Sequence, residues 1–104
     1  MKLVTWDAFA LLPEGTIFSY YDMYVHMDGL CRKGETIWNR ERSKPIDFFE
    51  GYCAAQCWNG EPPTVDDTES RWGLYDYTQQ FAIYEPADLA VIVRMLGFEA
   101  KGST

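Results

Sequence analysis

Thr16-Ile17-Phe18-Ser19-Tyr20-Tyr21-Asp22-Met23-Tyr24-Val25 is a run of β-branched and aromatic residues that reads as a strand, with Ser19 and Asp22 breaking its apolar character. Met27-Asp28-Gly29-Leu30 follows at once. Asp-Gly is a strong short-range hairpin signal, so residues 30–37 are expected to return as the partner strand. Lys33-Gly34 is expected to shorten or bulge that partner.

Before this hairpin, residues 4–12 read as a short helix. Thr5 is a suitable N-cap, Asp7 sits in the first turn, and Val4 can staple against Phe9. Pro13-Glu14-Gly15 stops it. After the hairpin, residues 38–44 are polar and basic. Residues 46–55 fit either a helical stripe or a strand, and Gly51 and the aromatic density tip the reading to a strand. Residues 58–73 form a long loop containing Asn59-Gly60 and Pro62-Pro63. A further strand is best defined at residues 80–84. Pro86, Asp88 and Gly97 then mark the start, first turn and stop of a C-terminal helix, with Leu89, Ile92, Val93 and Leu96 as its apolar stripe. The expected fold is one α+β domain over residues 1–104: an antiparallel sheet of three to five strands with an N-terminal and a C-terminal helix.

Composition bounds the function. The 104 residues are 47 % apolar and 16 % aromatic, which suits a folded globule with one core. Nine Lys or Arg against sixteen Asp or Glu give a net charge of −7, which argues against direct binding of nucleic acid or of anionic membranes. No apolar run approaches the ~20 residues of a membrane span. Three cysteines and no signal peptide fit a reduced cytoplasmic setting.

Motifs for nucleotide, metal or nucleophilic chemistry are missing, so neither a cofactor nor an enzyme is expected. Cys53 and Cys57, with Cys31 and the single His26, are the weak metal option, since no CxxC pair supports them. Asp47 and Glu50 beside aromatics suggest a raised-pKa acid, or more simply polar residues on the outer face of a strand.

Charge is uneven along the chain. Residues 1–30 carry −3, residues 31–45 carry +3 through Arg32, Lys33, Arg40, Arg42 and Lys44, and residues 46–104 carry −7. Within 46–93 nine acids face a single base, Arg71. Carboxylates spaced like phosphates suit a basic protein surface. Glu61, Asp66, Asp67, Glu69 and Asp76 are the candidate contacts, with Trp58 and Trp72 as aromatic anchors bracketing the acidic loop.

Trp6-Asp7-x-Phe9-x-x-Leu12-Pro13-x-Gly15-Thr16, with Gly29-Leu30, Lys33-Gly34-Glu35-Thr36, Asp47-Phe48-Phe49 and Phe81-Ala82-x-Tyr84, resembles small acidic proteins encoded by bacteriophages and prophages. The resemblance covers most of the chain and rests on structural motifs. Such proteins include inhibitors of host defence, notably anti-CRISPR proteins. It implies a non-enzymatic inhibitor in the host cytoplasm that binds a defence protein such as a CRISPR effector subunit and occupies a nucleic-acid or partner site. The basic stretch 32–44 departs from a uniformly acidic mimic. The alternative is a homo-oligomeric structural or small-ligand-sequestering accessory protein, with a homodimer as its simplest form.

Overall fold

The computed structural model describes residues 1–22, 26–52, 69–73 and 75–97. Its elements in chain order are β1 (Lys2–Val4), α1 (Trp6–Ala10), β2 (Ile17–Asp22), β3 (His26–Trp38), β4 (Pro45–Tyr52), β5 (Glu69–Arg71), β6 (Gln80–Ile83) and α2 (Pro86–Met95). The strands make one antiparallel sheet in the order β1-β6-β2-β3-β4-β5. The α+β class is as expected, but six strands exceed the expected three to five. The two additions, β1 and β5, are three-residue edge strands too short to show an alternation of their own.

The central hairpin closes elsewhere than Asp28-Gly29. Phe18 pairs with Cys31, Tyr20 with Asp28 and Asp22 with His26, so the β2–β3 ladder runs past Asp28-Gly29 to Asp22 and His26. Between Phe18 and Tyr20 the register shifts by one residue, and Gly29-Leu30 opposes Ser19 alone. Gly29-Leu30 thus makes a β-bulge, with Gly29 at φ +40° in the left-handed region that glycine tolerates. The Ser19 hydroxyl donates to the Gly29 carbonyl and is 2.9 Å from the Tyr84 hydroxyl. On its other edge β2 pairs with β6, Phe18 opposite Ile83 and Tyr20 opposite Phe81. The second bulge falls between Lys33 and Thr36, as Lys33-Gly34 suggests.

α1 lies across one face of the sheet. Thr5 is its N-cap by backbone geometry, and its carbonyl accepts the Phe9 N–H at 2.9 Å. Phe9 is the centre of the core, stacked on Phe81 at 3.9 Å between ring centroids and edge-on to Phe18 at 4.7 Å and Phe48 at 4.9 Å. Each such pair adds ~0.5–1.5 kcal/mol beyond area burial. Val4 and Leu12 pack around this cluster. At the other end of the chain, α2 begins at Pro86 as expected, but its stripe does not enter the core: none of its residues is buried. No helix among the described residues is long and apolar enough to cross a membrane.

Candidate functional site

Of the seven residues expected at the binding surface, Trp58, Glu61, Asp66 and Asp67 lie outside the described residues, and Glu69, Trp72 and Asp76 lie within them. Trp72 corrects its expectation as an exposed anchor. It is 6 % exposed, its ring stacked on Trp6 at 5.1 Å and on Phe48 at 5.3 Å. Its backbone N–H donates to the Phe48 carbonyl at 2.9 Å, which extends the β4–β5 ladder by one residue and turns the indole onto the α1 face. Tyr75 and Tyr77, by contrast, are about half exposed.

Glu69 opens β5, opposite Gly51, and is exposed. Its side chain lies over Gly34: a Cβ at Gly34 would stand 2.5 Å from Glu69 Oε1 and 3.0 Å from Phe49 Cβ. Asp76 is exposed and folds back on its own turn. Oδ1 accepts the Thr78 hydroxyl at 2.6 Å and the Thr78 N–H at 3.1 Å, and these two donors hold its carboxyl below the usual range. It therefore presents a fixed negative charge at neutral pH.

Asp47 and Glu50 are not outer-face surface groups, because both are buried. Asp47 is completely enclosed on the face opposite α1. Its Oδ2 accepts Nε of Arg71, and its Oδ1 accepts the N–H groups of Phe48 at 2.8 Å and Gly73 at 3.1 Å. The pairing of Phe49 with Arg71 brings the guanidinium onto the face that Asp47 shares, two residues along β4. The carboxylate in turn holds the Arg71 pKa up. Arg71 Nη2 reaches the Tyr75 hydroxyl at 3.3 Å.

Lys33 also departs from its expected place in a basic surface stretch. It is 1 % exposed, because strand alternation sets it on the same face as Cys31. Nζ donates to Thr36 Oγ1 at 2.7 Å and to the Gly34 carbonyl at 3.2 Å, and stands 5.9 Å from the Phe9 ring centroid. The Thr36 hydroxyl in turn donates to the Ala10 carbonyl at 2.7 Å, so the ammonium supports the negative end of α1. Burial pushes the Lys33 pKa down, with Glu14 acting in the opposite sense. Lys33, Thr36, Glu14, Glu35, Arg42 and Trp38 line part of an open cleft of about 510 Å³ beside the end of α1. The period of two from Cys31 to Lys33 was the sequence signal for this inward placement.

Cys53 and Cys57 of the metal option lie outside the described residues, as does the side chain of His26, and Cys31 is buried in the core. Among the described residues no group of three or more His, Cys, Asp or Glu is placed to hold a metal ion. No family model, curated protein or solved structure matches this chain.

Proposed function

We propose that this chain is a non-enzymatic inhibitor of the phage type, anti-CRISPR-like, that docks its acidic surface onto a basic site of a host defence protein. One observation carries this reading. Arg71, the single base among residues 46–93, is spent on the buried carboxylate of Asp47. No further base lies within 46–93 to offset the exposed Glu69 and Asp76, which stand either side of Arg71 in sequence, while Glu85 and Asp88 pair with the N-terminal ammonium.

The distribution of the remaining charge supports the same reading. Lys33 is internal, so the basic stretch 31–45 exposes four cations, Arg32, Arg40, Arg42 and Lys44, beside two exposed acids, Glu35 and Glu41. The +3 read from sequence falls to +2 at the surface. The contacts in this proposal are Glu61, Asp66, Asp67, Glu69 and Asp76 with Trp58 as anchor, while Trp72 supports the strand that carries Glu69. Clustered carboxylates of this kind steer a positively charged partner and compete with the nucleic acid it would otherwise hold.

The test is an affinity pull-down from host lysate at low and high salt, using the wild type and a variant with Glu61→Ala, Asp66→Ala, Asp67→Ala, Glu69→Ala and Asp76→Ala. The expected result is a basic protein retained by the wild type at low salt and lost in the variant. Retention unchanged by salt and by all five substitutions would overturn the proposal.

A further inference from the structure

The cleft beside the end of α1 takes no part in the acidic surface. Two acids, Glu14 and Glu35, and two bases, Lys33 and Arg42, line it. Their charges cancel, yet among the described residues no salt bridge involves any of them.

Lys33 is the buried member of the set. Two of its three N–H donors go to Thr36 Oγ1 and the Gly34 carbonyl, and no carboxylate of the described residues stands within salt-bridge reach of its ammonium. Glu50, opposite it across the β3–β4 ladder, does not line the cleft. Burying a charge without a counter-charge is costly, so the remaining donor suits an anionic group that enters the cleft.

Arg42 is placed there at a conformational cost. Its φ of +55° lies in the left-handed region, which a glycine adopts more cheaply. The turn that carries it is pinned by Asn39. The Asn39 carbonyl accepts the Arg42 N–H at 2.9 Å, and Asn39 Oδ1 accepts the N–H groups of Ser43 at 2.8 Å and Lys44 at 3.3 Å. Strain held this firmly marks a position where the side chain matters.

Leu11, Ile37, Trp38 and Phe49 supply apolar lining, and the volume of about 510 Å³ is that of a small-molecule site. A simple anion would meet Glu14 and Glu35 there, and a simple cation would meet Lys33 and Arg42. A ligand with both charges answers all four groups, and an apolar body covers the rest.

We propose that this cleft binds a small zwitterion with an apolar body, of about dipeptide size, with its carboxylate on Lys33 and Arg42 and its ammonium on Glu14 and Glu35. This site shares no residue with the acidic surface, so the two proposals fail independently.

The probes are leucyl-leucine, its N-acetyl derivative, which keeps only the carboxylate, and its C-terminal amide, which keeps only the ammonium. Titrations followed by amide NMR are expected to shift residues 33–38 and 42, with leucyl-leucine bound at least about tenfold more tightly than either derivative. Arg42→Gly relieves the left-handed strain and so keeps the fold. It is expected to weaken leucyl-leucine and the N-acetyl derivative several-fold without weakening the amide. Glu35→Gln, at an exposed position, is expected to weaken leucyl-leucine and the amide without weakening the N-acetyl derivative. No shift up to the solubility limit of leucyl-leucine, shifts confined to residues outside the cleft, a derivative bound as tightly as leucyl-leucine, or variants that bind all three probes like the wild type would overturn the proposal.

Discussion

The completely buried carboxylate of Asp47 is bound by the guanidinium of Arg71 from the neighbouring strand, with Phe48 and Gly73 N–H groups completing its shell. This pair neutralises the buried acid with a half-exposed base and fixes β5 to β4. Asp47→Ala should leave two backbone donors without their acceptor and lower stability by about 3 kcal/mol. Urea denaturation measures it. A loss below ~1 kcal/mol would mean that water replaces the carboxylate freely.

Trp72→Ala is expected to act on folding rather than on partner binding. It removes a ring stacked on both Trp6 and Phe48 and should lower stability by about 3–5 kcal/mol. A thermal melt reads this directly. An unchanged melting temperature would contradict the core placement of Trp72.

Gly34→Ala is expected to destabilise the sheet by about 1–3 kcal/mol. The new methyl would meet not only Glu69 Oε1, which can swing away, but Phe49 Cβ at 3.0 Å and the Phe49 carbonyl at 3.1 Å. The double variant Gly34→Ala with Glu69→Ala should recover only part of the loss, since the Phe49 backbone stays in place.

These positions show where the sequence was readable. Residues 80–84 and 86–97 announced a strand and a helix through local signals: a β-branched and aromatic run, then Pro86 at the helix start and Gly97, at φ +83°, just past its end. The strand at 45–52 was legible from Gly51 and the aromatic density around it. Asp28-Gly29 misled because a turn signal is local: the pairing of Tyr20 with Asp28 and of Asp22 with His26 places it inside β3, where Gly29 serves a bulge instead of a turn. The same holds for the binding surface. Glu69 and Asp76 read as exposed acids and are exposed, but the burial of Trp72 depends on Trp6, and that of Asp47 on Arg71. Neither contact leaves a trace in the spacing of nearby residues.

Lys33 carries a pH signature. Its folded pKa lies below the ordinary lysine value of 10.5, so between the two values the unfolded chain binds more protons than the folded one. The Lys33 contribution to stability is therefore expected to rise with pH across that window, as the buried amine loses its charge. Lys33→Met should remove this rise while leaving the acid limb of the profile unchanged. Urea midpoints of both proteins at neutral pH and near 10.5 check it, and parallel profiles would refute it.

The acidic surface is the central claim, and titration calorimetry of the captured host protein across a salt series tests it most directly. Wild-type affinity should fall steadily as salt rises. The variant lacking the Glu61, Asp66, Asp67, Glu69 and Asp76 carboxylates should bind at least about tenfold more weakly, a loss of ~1.4 kcal/mol or more, with a flatter salt dependence. Equal affinity and equal salt slope for the two proteins would contradict the account.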